Sequence, residues 1–264
     1  MATVILVRHG RTAANARGIL AGRMPGVQLD EVGRGQAERT AQRLAAVPLA
    51  ALVSSPLERC RETAEAILAS QREGAGRSRA TGSEGADRGN AGEGEKAGDA
   101  QPAAVRGVIL ESVALEPALT ECGYGEWQGR AINELVREDL WRHVQASPAS
   151  VTFPGGEAML AMQARAVEAI RRHDAAVTAE YGARAVWAAV SHGDVIKSVL
   201  ADALGLPFDR FQSIVVGPAS VSIVHYGSQR SGVIAMNTHG GDLGWLKDGV
   251  PDEDAPVGGG ATAG

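Results

Sequence analysis

Two segments of the sequence carry an apolar run that ends in the dipeptide His-Gly. The first, VILVRHG, contains Arg8 and His9, and the second, VWAAVSHGD, contains His192. A third apolar run, LAALVSS, is followed within a few residues by Arg59. Guanidinium groups pair well with phosphate oxygens, whereas two histidines and two arginines supply too few anionic ligands for a metal ion. The pattern therefore predicts a cationic pocket for a phosphoryl group.

A histidine in such a pocket can do more than bind. Imidazole is a nucleophile, and covalent catalysis divides a displacement at phosphorus into two easier steps. The arginines would hold the charge of the phosphoryl oxygens throughout. The departing alkoxide also needs a proton, and the glycine-punctuated loop LTECGYGEWQG offers Glu121 as its donor, with Glu126 as the second choice.

The secondary structure must bring these residues to one place. Apolar runs predict strands, and helical spacing of apolar residues predicts helices between them. Their alternation indicates an α/β fold, a three-layer α/β/α sandwich around a mostly parallel sheet. Because ligands bind at the carboxyl ends of such strands, His9, Arg59 and His192 should meet at one edge. The predicted strands are 4–7, 49–55, 185–190, 221–226 and 233–237, and the predicted helices are 34–46, 57–68, 132–144, one from the turn at 153–157 to about 181, and 195–204.

The chain of 264 residues is long enough for one sizeable core. We expect a single domain over residues 1–246. Residues 69–104 contain no Val, Ile, Leu, Met, Phe, Trp, Tyr or Cys. A segment with nothing to bury cannot offset the entropy lost on ordering, so it is predicted to be a disordered insertion. Residues 247–264 are predicted to form a flexible C-terminal tail.

The bulk composition limits the partners of the chain. A formal net charge of −5 argues against general nucleic-acid binding, which requires a basic surface. Two cysteines give no disulfide framework and suit a reducing cytosol. The N-terminus lacks a signal-peptide pattern, and no apolar run approaches the roughly 20 residues of a membrane span. We expect a cytoplasmic monomer or homodimer that binds a small phosphorylated substrate, with neither nucleic acid nor membrane as a partner.

Six motifs, in order along the chain, resemble those of the histidine phosphatase superfamily, also called phosphoglycerate mutase-like. They are LVRHGRTAAN with its RHG signature, LDEVGRGQA, SSPLERCRETA, LTECGYGEWQG, PGGE and VSHGD. The resemblance is to the bacterial phosphatase branch of that superfamily, and it implies the three-layer fold of the family.

The resemblance also implies a role for each matching residue. His9 matches the nucleophile that becomes phosphorylated, and Glu121 matches the general acid and base. The family requires no metal ion or other cofactor. The residues that match its phosphate pocket are Arg8, Arg59 and His192, with Asn15 as a polar support and Thr12 and Gly22 at positions that line the pocket.

The predicted activity is metal-independent hydrolysis of phosphomonoesters through a phosphohistidine. The alternatives are a phosphomutase and a protein that only binds phosphorylated ligands. A mutase needs a second set of basic residues and exclusion of water. The phosphoglycerate mutases of the family carry a longer, basic, proline-rich segment after the position of YGEWQG, unlike RAINELVREDLWRHVQASPAS here. A protein that only binds would lack a nucleophile, an arginine or the acid, and all are present.

Other residues near the motifs have structural interpretations. Gly10 should clear the approach of a ligand to the backbone. Arg11 and Arg23 are expected to be solvated surface residues, and Trp127 is expected to cover the site or pack its loop. A group of apolar residues suggests that the substrate is not a bare sugar phosphate: Ile19, Leu20, Met24 and Val27.

Overall fold

A computed structural model describes residues 1–82, 110–227 and 229–248. Within these residues, the chain forms a six-stranded sheet with the order β3-β2-β4-β1-β5-β6. This sheet confirms the predicted α/β class. Its strands are β1 (Thr3–Arg8), β2 (Leu52–Ser54), β3 (Ala114–Leu115), β4 (Val186–Ser191), β5 (Val221–Tyr226) and β6 (Ser231–Thr238). Strands β1 to β4 are mutually parallel, β5 pairs antiparallel with β1, and β6 pairs antiparallel with β5.

Helices cover both faces of the sheet, as the three-layer prediction requires. Successive side chains of a strand point to opposite faces, and along β1 Val4 and Leu6 join one buried cluster while Ile5 and Val7 join another. The first cluster includes residues of α6 and α7, and the second includes residues of α2 and α3. None of the described helices is long and apolar enough to cross a bilayer. The helices are α1 (Ala13–Ala16), α2 (Glu31–Leu44), α3 (Glu58–Gly82), α4 (Ile132–Leu135), α5 (Asp139–Ala146), α6 (Met159–Tyr181) and α7 (Gly193–Ala203).

Several helices differ from their predicted bounds. Helix α2 begins at Glu31 rather than at residue 34, since the carboxylate of Asp30 accepts a hydrogen bond from the backbone N–H of Gly33 at 2.7 Å and caps the helix. The single helix predicted over 132–144 is two helices, α4 and α5. Glu138 lies at the start of α5, and its carboxylate accepts a hydrogen bond from Trp127 Nε1 at 2.8 Å.

The predicted start of the insertion at residue 69 is wrong, because helix α3 continues to Gly82. Ala, Gln, Arg and Glu, which lie at the start of this extension, have high helix propensity even where they bury little, and Gln71 has partners outside the helix. Gln71 Nε2 donates to the carbonyl oxygens of Leu44 and Val47 at 2.7 and 3.0 Å. The tail predicted from residue 247 begins inside a short 3-10 helix, Gly244–Asp248. Residues 83–104 and 249–264 lie outside the described residues.

The order of the strands brings three carboxyl ends together. Strand β4 lies between β1 and β2, and all three run in the same direction. His9 follows β1 directly, and His192 follows β4. Ser55 follows β2, and Arg59 lies in the first turn of α3. The predicted convergence of the two histidines and Arg59 at one edge of the sheet is therefore confirmed.

Candidate active site

The five residues predicted to be catalytic lie together at this edge. His9 is only 3% exposed, and its backbone N–H donates to the carbonyl oxygen of Ser191 at 3.0 Å. The turn after β1 is thereby held against the end of β4. The rings of His9 and His192 meet edge to face, with 5.2 Å between their centroids. A cavity of about 200 Å³ is lined by Arg8, His9, Arg59 and Glu121.

The ring of His9 is held in one tautomer. Its Nδ1 lies 2.7 Å from the carbonyl oxygen of Gly10, and because a carbonyl can only accept, Nδ1 carries the proton. Nε2 therefore keeps a free electron pair, to which Arg59 Nε donates at 3.3 Å. Burial, and then the positive charges of Arg59 and Arg8, hold the pKa of His9 well below its usual value. A neutral imidazole with an unprotonated Nε2 is the form that can attack phosphorus.

His192 is anchored on both sides of its ring. Arg59 Nη2 donates to its Nδ1 at 3.2 Å, so the proton is on Nε2, which donates to the hydroxyl of Ser55 at 2.8 Å. Cys60 packs against the same ring, with its Sγ 3.4 Å from Nε2. Burial, followed by the charge of Arg59, holds the pKa of His192 well below its usual value. The guanidinium of Arg59 is thus fixed between two neutral imidazoles.

Arg8 and Arg59 each have an N–H donor without a hydrogen-bond acceptor among the described residues. Arg8 Nη1 donates to the carbonyl oxygen of Val216 at 2.6 Å, and Arg59 Nη2 donates to that of Gly22 at 2.8 Å. Arg8 Nε and Arg59 Nη1, however, are buried without a hydrogen-bond partner among the described residues. Burying a cationic donor without an acceptor is costly. A phosphoryl group supplies negative charge and several acceptor oxygens, so it suits both positions.

Glu121 places an acid beside these cations. Its Oε1 accepts from the backbone N–H of Cys122 at 2.9 Å, and its Oε2 lies 4.0 Å from Nδ1 of His192. Burial, and then the negative charge of Asp194, raise the pKa of Glu121 to about 7. Near neutral pH both of its protonation states are populated, which suits a group that must give and later take a proton. Glu126, the second choice, is exposed and does not line the cavity.

The backbone of Glu121 is held by a clamp, defined here as Arg23, Arg165 and Glu157, that the sequence patterns did not identify. The Glu121 carbonyl oxygen accepts from Arg23 Nε at 2.7 Å and from Arg165 Nη2 at 3.1 Å. The carboxylate of Glu157 joins the two guanidinium groups at 2.7 to 2.9 Å. Arg23 is exposed, as predicted, and in addition it contacts the backbone of Glu121. The motif PGGE, which ends in Glu157, was the one signal for this network.

The three residues predicted to bind substrate also line the cavity. Thr12 caps α1, and its backbone N–H and hydroxyl donate to Oδ1 of Asn15 at 3.1 and 3.0 Å. Gly22 has a φ of +53°, and its carbonyl oxygen is an acceptor of Arg59, so it acts through its backbone. Contact of these residues with a substrate stays a prediction.

Gly10 serves packing rather than the approach of a ligand. A Cβ at this position would lie 2.4 Å from the carbonyl oxygen of Gly33, so glycine lets the loop pack directly on α2. Arg11 is partly exposed, and its Nε lies 2.8 Å from Oδ2 of Asp30 beside the start of that helix. Trp127 is buried, which agrees with its predicted role in packing the loop.

Further residues of the cavity wall had no predicted role. Tyr124 donates its hydroxyl to Oδ2 of Asp194 at 2.8 Å, and Lys197 Nζ lies 3.4 Å from Oδ1 of the same carboxylate. Tyr124 and Asp194 lie in the motifs LTECGYGEWQG and VSHGD, whereas Lys197 lies outside every motif. Within the described part of the chain, no three His, Cys, Asp or Glu side chains are grouped to hold a metal ion. The apolar residues of the wall are Ile19, Leu20, Ala21, Ile132 and Val216.

The fold and the site define an α/β protein with a cavity at the carboxyl edge of its sheet, lined by His9, Arg8 and Arg59. The chain belongs to the histidine phosphatase superfamily: the family model for branch 1 matches residues 4–76 and 100–239. The interval between the two matched segments lies within the predicted insertion.

Two curated relatives and a solved structure are similar to this chain over most of its length. Phosphoserine phosphatase 1 of Hydrogenobacter thermophilus is 26% identical over 243 residues, which cover 90% of this chain and 92% of the relative. A protein of Erwinia tasmaniensis, named as a probable phosphoglycerate mutase, is 27% identical over 258 residues, 96% of this chain and 99% of the relative. The solved structure of YhfR from Bacillus stearothermophilus has a TM-score of 0.67 at 26% identity, covering 90% of this chain and 99% of that one. Three curated relatives with 46% to 47% local identity are matched over only 28% to 32% of their own length.

Proposed function

We propose that the protein is a phosphomonoesterase that hydrolyses a small phosphorylated metabolite through a phosphohistidine on His9 and without a metal ion. The observation that carries the proposal is the fixed state of His9. Its Nε2 is unprotonated and lies beside Arg59, in a cavity that the guanidinium-bearing residues Arg8 and Arg59 line. Membership of the histidine phosphatase superfamily supports the same reaction.

In the first step, Nε2 of His9 attacks phosphorus and the bond from phosphorus to the ester oxygen breaks. Arg8 and Arg59 donate to the phosphoryl oxygens and hold their charge. The Gly10 carbonyl oxygen accepts a hydrogen bond from Nδ1–H, which keeps its proton, and stabilises the ring as it becomes positive. Glu121, in its protonated form, gives a proton to the departing oxygen. The products are the free alcohol and an enzyme phosphorylated at Nε2.

In the second step, water takes the place of the alcohol. The carboxylate of Glu121 removes a proton from water, whose oxygen attacks phosphorus while the bond from phosphorus to Nε2 breaks. Inorganic phosphate leaves, Glu121 is protonated again, and His9 returns to its neutral state. Each proton and each bond is thus accounted for by the residues of the site and one water molecule.

The segment after the YGEWQG motif favours hydrolysis over isomerisation. Arg130 lies 2.5 Å from the carboxylate of Glu138, and Arg142 forms an ion pair with Asp139. Neither arginine lines the cavity, so neither supplies the additional cations that a doubly phosphorylated intermediate needs. The phosphomutase stays the alternative because one near full-length relative carries that name, and a protein that only binds phosphorylated ligands is the second alternative.

Hydrolysis of p-nitrophenyl phosphate in the presence of EDTA tests the proposal. Wild type should release phosphate, and rapid acid-free quenching of a labelled substrate should trap phosphohistidine. The His9→Ala variant should lose roughly 10³-fold or more in kcat, because the covalent route is removed. The matched control is His143→Ala, since His143 is exposed and does not line the cavity; it should retain wild-type activity.

Three results would contradict the proposal. Hydrolysis by His9→Ala at the wild-type rate would exclude this histidine as the nucleophile. Isomerisation of 3-phosphoglycerate in the presence of 2,3-bisphosphoglycerate, at a rate above that of hydrolysis, would favour the mutase. Binding of phosphate esters with no turnover across a broad panel would favour a protein that only binds.

We further infer a bacterial, cytoplasmic enzyme that is a monomer or a homodimer. Cys60 and Cys122 are buried free thiols, which suits a reducing compartment. The relatives named above from Hydrogenobacter thermophilus and Erwinia tasmaniensis support the bacterial assignment. Cell fractionation and light scattering test the location and the oligomeric state.

A further inference from the structure

One wall of the cavity is apolar and is formed by two loops that bind each other. The backbone N–H of Leu20 donates to the carbonyl oxygen of Arg130 at 2.9 Å, and that of Ile132 donates to the carbonyl oxygen of Gly18 at 2.8 Å. Because the two backbones are joined on both sides of the wall, its shape is set before a ligand binds. We call this surface the apolar wall, and its side chains are Ile19, Leu20 and Ile132.

The apolar wall exposes a large side chain to solvent at the cavity. Ile132 is 37% exposed, although it is one of the residues that line the cavity. Removing such apolar surface from water is favourable. A ligand group that covers Ile132 is therefore stabilised there if that group is itself apolar.

The charged residues on the rest of the wall are already paired. Lys197 Nζ lies 3.4 Å from Oδ1 of Asp194, donates to Oε1 of Gln212 at 3.0 Å, and lies 5.7 Å from the centre of the Phe211 ring. The second oxygen of Asp194 accepts a hydrogen bond from the Tyr124 hydroxyl. Beyond the phosphate-binding arginines, Lys197 is the cation among the described residues that line the cavity, and its charge is neutralised by Asp194.

We propose that the alcohol portion of the substrate is apolar and carries no second anionic group, an inference that rests on the proposed phosphatase function. A carboxylate or second phosphate at Lys197 would share the ammonium with Asp194 and Gln212 and would lie beside the Asp194 carboxylate, whose negative charge repels it. An apolar chain or ring has only to cover the apolar wall. The arginines thus select for one phosphoryl group, and the apolar wall selects for an uncharged, apolar alcohol joined to it.

A comparison of kcat/KM for matched esters tests the inference. Four primary alkyl phosphates have similar leaving groups: 2-phenylethyl phosphate, glycerol 1-phosphate, 3-phosphoglycerate and O-phosphoserine. The first should be hydrolysed at least roughly tenfold more efficiently than glycerol 1-phosphate, since one methylene group in an apolar pocket discriminates by roughly 10- to 200-fold. The two phosphate esters that carry a carboxylate, 3-phosphoglycerate and O-phosphoserine, should have the lowest kcat/KM.

Two variants assign the preference to the apolar wall. Ile132→Ser should lower the ratio of kcat/KM for 2-phenylethyl phosphate over glycerol 1-phosphate, because the contacted surface becomes polar. Val136→Ser is the matched control: Val136 directly follows the same helix, is 46% exposed and does not line the cavity. It should leave the ratio unchanged.

The contradicting outcomes separate this inference from the proposed function. If 3-phosphoglycerate or O-phosphoserine is hydrolysed at least as efficiently as 2-phenylethyl phosphate, the inference is wrong. If Lys197→Met then removes that preference, Lys197 binds the carboxylate of the substrate. An unchanged ratio in Ile132→Ser also overturns it. Failure to hydrolyse p-nitrophenyl phosphate, in contrast, overturns the proposed function itself.

Discussion

Replacing Glu121 by glutamine exchanges a buried acid for a neutral side chain of the same shape. Burial, and then the charge of Asp194, raise the pKa of Glu121 from 4.5 to about 7 in the folded protein. The folded state therefore holds this proton more tightly than the unfolded chain does. The resulting contribution to the free energy of unfolding is fully present below about pH 4.5 and is lost as the pH rises towards 7.

The magnitude follows from the size of the change in pKa. An increase from 4.5 to about 7 corresponds to about 3 kcal/mol over the full pH range, most of which falls between pH 5 and pH 8. Glutamine does not titrate in this range. The free energy of unfolding of wild type should therefore decrease by about 2–3 kcal/mol more than that of Glu121→Gln between these two pH values.

Urea unfolding at pH 5 and pH 8 measures this difference directly. Glu126→Gln is the control, because Glu126 is an exposed carboxylate of the same loop, and its pH dependence should follow that of wild type. The same Glu121→Gln protein should lose roughly 10²- to 10⁴-fold in kcat, as expected for removal of a general acid and base.

Two results would refute the reasoning. Parallel loss of stability in wild type and Glu121→Gln between pH 5 and pH 8 would mean that Glu121 is ionised in the folded protein across this range. Full activity of Glu121→Gln would mean that the proton comes from elsewhere.

Three further predictions concern the clamp, the packing of a glycine and a buried thiol. Arg165→Met should lower kcat by roughly 10- to 100-fold with little change in KM, because Glu121 is displaced. Arg165→Lys should restore part of the lost kcat. Steady-state kinetics that show a change in KM alone would contradict this prediction. Gly10→Ala should lower the free energy of unfolding by about 1–3 kcal/mol, because its Cβ would lie 2.4 Å from the Gly33 carbonyl oxygen; an unchanged urea midpoint would argue against that contact. Burial raises the pKa of Cys60 to about 12, so mass spectrometry should find no iodoacetamide adduct at pH 8 until the protein is unfolded, whereas rapid labelling of the folded protein would contradict its burial.

Local patterns predicted the central strands because each is buried on both faces. A strand such as β1 or β4 then appears as an uninterrupted apolar run, and the residue after it is marked by the abrupt change to Arg8, His9 or His192. The polar extension of α3 could not be predicted in the same way. It contains no large apolar residue, and among its described side chains the amide of Gln71 donates to the carbonyl oxygens of Leu44 and Val47.

Some residues of the candidate site could likewise be predicted from local patterns, and others could not. Motifs identified His9, Arg59 and Glu121 because a nucleophile, a cation and an acid must be particular residue types. The clamp on Glu121 could not be identified, since Arg165 lies 44 residues from Glu121 along the chain and a single arginine within a helix carries no pattern.

The sequence by itself determined the family, the order of the strands along the chain and the residue types available for phosphoryl transfer. Tertiary structure decided the chemical state of those residues. The pKa of Glu121 depends on burial and on its distance from Asp194, and the tautomer of His9 depends on the position of the Gly10 carbonyl oxygen. Both are set by distances between groups in the folded chain, and electrostatic and hydrogen-bond energies vary steeply with such distances.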